Sequence, residues 1–362
     1  MFKLTLVTDA WEPQVNGVVR TLATTVRLLR ARGVRVQLIT PDQFWSVPMP
    51  DYPEIRLALT TRRRVGKMIR GFAPDALHIA TEGPLGWLAR GWARQQGMAF
   101  TTSFHTRFPD YVAARIGIDP ARVWRVLRRF HAPASAVMVA TPRLAAELAG
   151  HGLTNTQIWS RGADTAQFRP DAPPHPIYAT LKRPVALHVG RVAIEKNIEA
   201  FLAAPWSGDK VVVGDGPALD QLQRRFPNAH FLGALHGPAL ASAYAGADVL
   251  AFPSRTDTFG LVMVEALASG TPVAAYPVPG PLDIIGHDGY GPDGRAPGRV
   301  GALCHHLTDA MVKALGARRA DCVAQGRRHD WDACVDQFVA ALVCGDGRAV
   351  IAPPAVELAR VA

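Results

Sequence analysis

Several features that would assign this chain of 362 residues to a familiar class are missing. No apolar run approaches the ~20 residues that a membrane-spanning helix needs, and Met1 leads into a strand-like segment without a cleavable apolar leader. The four cysteines show neither CxxC nor zinc-ligand spacing. We therefore expect reduced structural thiols, no bound metal and a cytoplasmic protein.

The glycine pattern GxGxxG is absent after the first predicted strand, Lys3–Thr8, which disfavours a nicotinamide oxidoreductase. Short β-branched runs alternate with helical stretches along the chain, and this pattern predicts an α/β protein with two parallel sheets. The length suits two domains. A proline-rich stretch separates them, so we predict domains at residues 1–168 and 184–330 with a linker at 169–183.

Acidic residues are scarce in the first half. Residues 1–170 hold 23 Lys and Arg against 11 Asp and Glu, whereas residues 171–362 hold 17 against 19. Two clusters carry much of this excess: Arg62, Arg63, Arg64 and Lys67 in the first, and Arg122, Arg125, Arg128 and Arg129, with Trp124 among them, in the second. Basic amphipathic helices of this kind suit an anionic membrane surface. The clusters can also be ordinary solvated helix faces. A nucleic-acid surface is a third alternative, although the sequence contains no known nucleic-acid module.

Two carboxylates, Asp257 and Glu265, stand eight positions apart across a predicted loop-to-helix junction. Between them, Phe259-Gly260-Leu261 lets the backbone turn closely before an apolar helix that starts near Val262. The first amides of a helix lack intrahelical acceptors and favour anions. The segment therefore predicts a site for a phosphorylated ligand.

This acid-x7-acid segment resembles the signature of the retaining, nucleotide-sugar-dependent glycosyltransferases of family 4. Four further segments resemble that family in the expected order: Asp9–Gly17, Ser103–Thr106, His188–Arg191 and Glu195–Asn197. The resemblance implies the GT-B fold, in which two Rossmann-like domains with parallel sheets face each other across a deep cleft. It also implies that a helix at 331–345 returns to the first domain, which leaves 346–362 as a tail.

Sugar transfer from a nucleoside diphosphate requires neutralisation of the charge that grows on the departing phosphate. Arg191 and Lys196, placed after a predicted strand and at a helix start, are suited to this task without a metal. Asp330 and Asp332 form an acid-x-acid pair at a predicted helix start, where aspartates serve as caps. We therefore expect no cofactor and no essential metal.

The resemblance implies roles for individual residues. Glu265 would bind the ribose hydroxyls, Asp257 the transferred sugar, and His105 would lie beside the reacting sugar. Further donor contacts are implied for Gly17, Gly190, Leu235, Phe259, Gly260, Leu261 and Val262, and acceptor contacts are predicted for Glu12, Asn16 and Glu82.

The chain departs from the family pattern in two places. The first acid is Asp257 where the family usually has Glu, and the loop Val278–Asp283 lacks the usual Gly-Gly. Both variants resemble the subgroup of lipid mannosyl-, glucuronosyl- and sulfoquinovosyltransferases. We therefore expect a hexosyltransferase that uses a GDP- or UDP-sugar and a membrane-lipid hydroxyl, peripherally attached to the membrane. A soluble transferase acting on a polysaccharide or small molecule, and a non-catalytic nucleotide-sugar sensor, are the alternatives.

Overall fold

The computed structural model describes residues 1–14, 16–49, 52–105 and 119–350, without the side chains of 52–54. The chain forms two compact units. The first runs from Met1 to Ser160 and resumes at Asp332, and the second is Arg161–Trp331. Both units are α/β, as the sequence predicts.

The division at Ser160 falls before the predicted boundary at residue 168, because the chain packs on the second unit from Arg161 onward. The amide of Ala163 donates to the carbonyl of His329 at 2.9 Å. The ring of Phe168 meets Tyr244 edge to face, with centroids 5.6 Å apart. Within the predicted linker, Tyr178 is buried and its hydroxyl donates to Ala243 at 2.6 Å. Residues 161–183 are therefore packed on the second unit.

The first unit contains eight strands and six helices among the residues that the structure describes. The strands are β1 Lys3–Val7, β2 Arg35–Ile39, β3 Trp45–Met49, β4 Tyr52–Leu59, β5 Ala76–Ile79, β6 Thr101–Phe104, β7 Ala136–Val139 and β8 Thr156–Ile158. The helices are α1 Gly17–Ala31, α2 Arg62–Phe72, α3 Pro84–Gln96, α4 Pro120–His131, α5 Pro142–Gly150 and the C-terminal α13 Trp331–Ala341, whose first residue belongs to the second unit. Six strands form a parallel sheet in the order β2-β1-β5-β6-β7-β8, and β3 and β4 form an antiparallel hairpin.

The second unit repeats this architecture. Its strands are β9 Ala186–Val189, β10 Lys210–Val213, β11 His230–Phe231, β12 Val249–Phe252, β13 Val273–Ala275 and β14 Gly301–Leu303. Its helices within the described residues are α6 Ile198–Ala203, α7 Leu219–Arg225, α8 Gly237–Gly246, α9 Leu261–Ala268, α10 Pro279–Ile284, α11 Leu307–Ala314 and α12 Arg319–Gly326. The strands form a parallel sheet in the order β11-β10-β9-β12-β13-β14. In both sheets the winding direction reverses, next to β1 in the first and next to β9 in the second.

Helix α1 shows how the local sequence sets an element. Asn16 caps its start, because its side-chain oxygen accepts from the amides of Val18 and Val19, each at 3.0 Å. Leu22, Val26 and Leu29, spaced three or four residues apart, are buried on one face of the helix. This face packs the helix against the sheet and leaves its arginines outside.

Helix α13 packs on the first unit through charge and aromatic contacts. Arg32 donates to the carboxylates of Asp332 at 2.8 Å and Asp336 at 2.5 Å. The ring of Phe338 lies 4.8 Å from Trp159 and 5.0 Å from His78, centroid to centroid. Asp332, expected to cap the helix, lies in the first turn of α13 and pairs with Arg32, which directly follows α1.

Truncation of Phe338 to Ala should destabilise the first unit by about 3–5 kcal/mol, because it leaves a cavity beside the buried Trp159. Urea unfolding followed by tryptophan fluorescence would measure the loss. The exposed Val312, changed to Ala as a control, should alter stability by less than about 0.5 kcal/mol. Equal stability of the two variants would refute the assigned packing of α13.

Candidate active site

The carboxyl ends of β9 and β12 lie side by side in the second sheet, although the two strands are far apart in the chain. Ligands of open parallel sheets bind at such a reversal of winding. Gly190 follows β9, and the loop after β10 crosses it so closely that a side chain at Gly214 would collide with the Gly190 carbonyl. The loops after β9 and β10 therefore meet through backbone at Gly190 and Gly214.

An ion pair joins the two loops at this edge. Lys196 ends a short 3-10 turn at Ile194–Lys196, and its Nζ lies 2.5 Å from Oδ1 of Asp257. Both side chains are about one-quarter exposed, at 26% and 24%. Burial by itself raises the pKa of Asp257, but the Lys196 ammonium outweighs it and the pKa lies below its usual value. A predicted phosphate contact and a predicted sugar contact therefore touch each other.

His188 lies below this pair, on β9. Its Nδ1 is 3.2 Å from the carbonyl oxygen of Ala251 on the neighbouring strand. Burial lowers the pKa of His188 to about 4, so the ring is neutral at neutral pH. The His188 ring therefore adds no charge near the Lys196–Asp257 ion pair.

Glu265 lies on α9 and is almost fully buried, with 2% of its surface exposed. The hydroxyl of Tyr244, on α8, donates to its Oε2 at 2.9 Å. Tyr244 is itself held by the ring of Phe168 and by Thr271, whose hydroxyl donates to its carbonyl. The orientation of the Glu265 carboxylate therefore depends on a helix that sequence reasoning did not connect with it.

The turn into α9 requires glycine. Gly260 has φ +98°, and a Cβ there would lie 2.8 Å from Met263 and 2.9 Å from Phe252. The side chains of Phe259 and Leu261 are buried, so the donor contacts predicted for these residues would be made by their backbone. Val262 is half-buried in the first turn of the helix, where amides lack intrahelical acceptors. This is the helix start at which an anion is predicted to bind.

Two further predicted donor residues lie at the same edge of the second sheet. Arg191 follows Gly190 directly after β9 and is half-buried. Leu235 is half-buried in the loop after β11, which is tied to the loop after β10 by a 2.8 Å bond from the Gly214 amide to the Gly233 carbonyl. All the predicted donor residues of the second unit thus belong to loops at the carboxyl ends of its strands or to α9.

The reversal of winding in the first sheet carries a buried carboxylate that sequence reasoning did not single out. Asp9 follows β1 and accepts from the amides of Leu85 at 2.9 Å and Gly86 at 3.2 Å, at the start of α3. Thr81 donates to its Oδ2 at 3.0 Å. Burial raises the pKa of Asp9 to about 6, against the opposing effect of these donors. Asp9 joins the loops that follow β1 and β5.

Glu82, a predicted acceptor contact, lies in the second of these loops. His131 on α4 donates from Nε2 to its Oε1 at 3.0 Å, and Nδ1 of the same ring lies 2.9 Å from Oγ1 of Thr102. The histidine is fully buried and the Glu82 side chain is 9% exposed. His131, which sequence reasoning missed, holds the Glu82 carboxylate in place. Its contact with Thr102 on β6 arises only in the folded chain, so no local sequence pattern indicates this role.

The remaining predicted residues of the first unit are dispersed around the same edge. His105 follows β6 and is almost buried, with its ring 5.6 Å from Trp159; Thr106 lies outside the described residues. Gly17 is the exposed first residue of α1, and Glu12 is exposed. The side-chain oxygen of Asn16, a predicted acceptor contact, is already engaged in capping α1.

The two basic clusters differ in what they expose. In the first cluster Arg62, Arg63, Arg64 and Lys67 are exposed on α2, and in the second Arg122, Arg125, Arg128 and Arg129 are exposed on α4. Trp124 is half-buried on α4, and its ring centroid lies 3.6 Å from that of His151 and 6.0 Å from that of Phe104, so its predicted membrane contact stays a prediction. Among the residues that the structure describes, no helix is long and apolar enough to cross a bilayer.

Family models match both parts of the chain. The model described as Glycosyltransferase Family 4 matches residues 15–167, and the model described as Glycosyl transferases group 1 matches residues 183–315. A GDP-mannose-dependent alpha-mannosyltransferase from Mycolicibacterium smegmatis is 31% identical over 90% of this chain and 90% of its own length. A sulfoquinovosyl transferase from Arabidopsis thaliana is 30% identical over 77% of this chain and 60% of its own length.

Solved structures share the fold at low sequence identity. Sucrose-phosphate synthase from Thermosynechococcus elongatus has a TM-score of 0.72 at 20% identity, covering 93% of this chain and 97% of the other. An Anabaena protein solved in complex with UDP has a TM-score of 0.66 at 16% identity, covering 93% and 98%. These structures, like the chain described above, have the GT-B fold.

The raised pKa of Asp9 predicts a pH-dependent stability. Between pH ~4 and ~6 the folded protein holds a proton that the unfolded chain has released, so stability falls as pH rises, by about 3 kcal/mol in all. Asp9→Asn should lose this slope, measured as unfolding free energy at several pH values. The exposed Asp42→Asn should keep the wild-type slope. Identical slopes for wild type and Asp9→Asn would contradict the assignment.

Proposed function

This chain belongs to glycosyltransferase family 4, and we propose that it transfers a hexose from GDP-mannose or a UDP-sugar to a hydroxyl of a membrane lipid. The family and the fold make it a hexosyltransferase. Its relatives include GDP-mannose-dependent alpha-mannosyltransferases, a sulfoquinovosyl transferase and alpha-monoglucosyldiacylglycerol synthases. The activities of these relatives support a nucleotide-sugar donor and a glycolipid product. Membership of an enzyme family disfavours the alternative of a non-catalytic sensor.

The observation that carries the donor proposal is the contact of Lys196 with Asp257 at the reversal of winding in the second sheet. A lysine ammonium has three donor hydrogens, and Asp257 needs one of them. The other two ammonium hydrogens of Lys196 would donate to phosphate oxygens, while the second carboxylate oxygen of Asp257 would accept from a sugar hydroxyl. One ion pair would thus serve the two ends of the bond that breaks.

The rest of the donor would follow from the surrounding loops. Arg191 and the amides at the start of α9 would bind the diphosphate, and Glu265 would accept hydrogen bonds from the ribose. Leu235 would pack against the base. Fixed cations and amides of this kind can stabilise a departing diphosphate without a metal, so we propose metal-independent transfer.

Transfer with retention would proceed on one face of the sugar. The bond from the anomeric carbon to the phosphate oxygen breaks, a bond from the acceptor oxygen to the same carbon forms, and the acceptor proton passes to the departing phosphate. In the first unit, His105 would contact the transferred sugar. Glu82, held by His131, would accept a hydrogen bond from the acceptor.

Lys196→Ala should reduce transfer by at least about 100-fold, because the departing diphosphate loses its cation. A thermal-shift screen of GDP, UDP and ADP on the wild type selects the donor, and turnover is then measured with EDTA present. Lys313→Ala, an exposed lysine of the same unit, should retain full activity. Wild-type turnover by a folded Lys196→Ala variant would refute the donor site.

Tyr244→Phe should weaken only the part of nucleoside diphosphate binding that comes from the ribose hydroxyls, because Tyr244 orients Glu265. The wild type should bind the ribonucleoside diphosphate about 10-fold more tightly than its 2′,3′-dideoxy analogue, since Glu265 accepts from the hydroxyls. Without the Tyr244 hydroxyl this ratio should approach that of Glu265→Gln, as measured by calorimetry. An unchanged ratio in Tyr244→Phe would show that Glu265 is oriented by other contacts.

A further inference from the structure

The β3–β4 hairpin of the first unit is apolar on its outer face, whereas its inner face also carries Ser46 and Arg56, joined by a 3.1 Å hydrogen bond. Its inner face packs in the core through Ala58, next to Phe44, which directly precedes β3. On the outer face, Trp45 is 84% exposed and lies directly opposite Leu59, which is 58% exposed. The next pair on this face joins Val47, 42% exposed, with Leu57. A solvated face of an antiparallel pair ordinarily carries polar residues.

Exposure of this size is costly in water. Tryptophan is highly buried on average in soluble proteins, and Trp45 and Leu59 are directly opposite each other on the same face of the hairpin. Contiguous exposed apolar surface of this kind marks interaction sites more often than isolated exposed residues do. The outer face of the hairpin is therefore suited to contact with an apolar phase.

A strongly basic surface adjoins this face. Helix α2 begins three residues after Leu59, and its sequence, RRRVGKMIRGF, contains no acidic residue. Arg64 ties α2 to the segment that precedes β3, because its guanidinium lies 5.0 Å from the ring of Phe44 and its NH2 group donates to the Gln43 carbonyl at 3.5 Å. An open cavity of about 670 Å³ beside this helix is lined by Gln37, Arg64, Lys67, Met68, Gly71 and Phe72.

We propose that the outer face of the hairpin and the basic face of α2 together dock this enzyme on an anionic bilayer, with Trp45 and Leu59 inserted at the headgroup boundary. The inference rests on the proposed lipid acceptor and adds the inserting element, which the basic clusters alone did not reveal. Trp side chains favour the membrane interface, and adjacent arginines attract anionic headgroups.

Charge and area favour a bilayer over a protein partner of the same kind. A second copy docking through the same face would bring two sets of arginines together, since such contacts are self-complementary. Three exposed apolar side chains also form a patch much smaller than the roughly 800 Å² that each partner buries in a stable interface. A lipid surface supplies both the anionic charge and the apolar phase.

Sedimentation with vesicles tests the proposal. Wild-type protein should bind vesicles of phosphatidylcholine containing roughly one-third phosphatidylglycerol, and binding should weaken with salt. The double variant Trp45→Ser, Leu59→Ser should lose about 10-fold or more in partitioning. Val312→Ser, a control at a similarly exposed apolar residue of the second unit, should bind like wild type. Equal binding by the double variant and wild type would overturn the proposal.

A second measurement reports insertion without a risk to folding. Brominated lipids quench only nearby tryptophans, so wild type should be quenched more strongly than Trp45→Phe on the same vesicles. Identical quenching of the two proteins would overturn the proposal. The proposal would also be overturned if the wild type formed oligomers through this face and did not bind vesicles.

Transfer to a short, water-soluble acceptor analogue separates the two claims. The double serine variant should keep this activity and lose transfer to vesicle-embedded lipid. If wild type lacks transferase activity yet binds vesicles through Trp45, docking stands and the proposed acceptor fails. If wild type is active and its vesicle binding is indifferent to Trp45, docking fails and the catalytic proposal stands.

Discussion

The ion pair between Lys196 and Asp257 depends on one constraint, the reversal of winding direction between β9 and β12. These residues are 61 positions apart in the chain and 2.5 Å apart in space. Adjacent parallel strands bring their following loops to the same edge of the sheet, where charges of opposite sign can meet. The glycines of this edge serve the same end, because a side chain at Gly214 would push the loops apart.

The winding direction also reverses in the first unit, between β1 and β5, but the side chains that meet there differ. Asp9 and Thr81 follow adjacent strands, and the buried Asp9 carboxylate accepts from the start of α3. Glu82 is held from a helix instead, through the ring of His131. One edge thus presents an ion pair beside a helix start, and the other presents a carboxylate held by a buried histidine.

The sequence predicted residues better than it predicted their surroundings. The acid-x7-acid spacing located Asp257 and Glu265, and their loop and helix are where the pattern put them. It could not connect Glu265 with Tyr244, because that hydrogen bond joins two helices whose packing has no local signature. Helical periodicity also could not show that the ring of Trp124 stacks on His151, because His151 follows another helix.

The sequence by itself determined the α/β class, the strands and helices with strong periodicity, and the residue types that a nucleotide-sugar enzyme needs. Each of these depends on local chemistry: side-chain alternation, capping and backbone freedom at glycine. Tertiary structure alone decided which side chains touch and which remain exposed. Trp45 and Trp124 are both tryptophans near basic clusters, yet one is 84% exposed and the other is stacked between rings. Burial depends on elements far away in the chain that pack against a residue, and a local sequence pattern does not specify these long-range contacts.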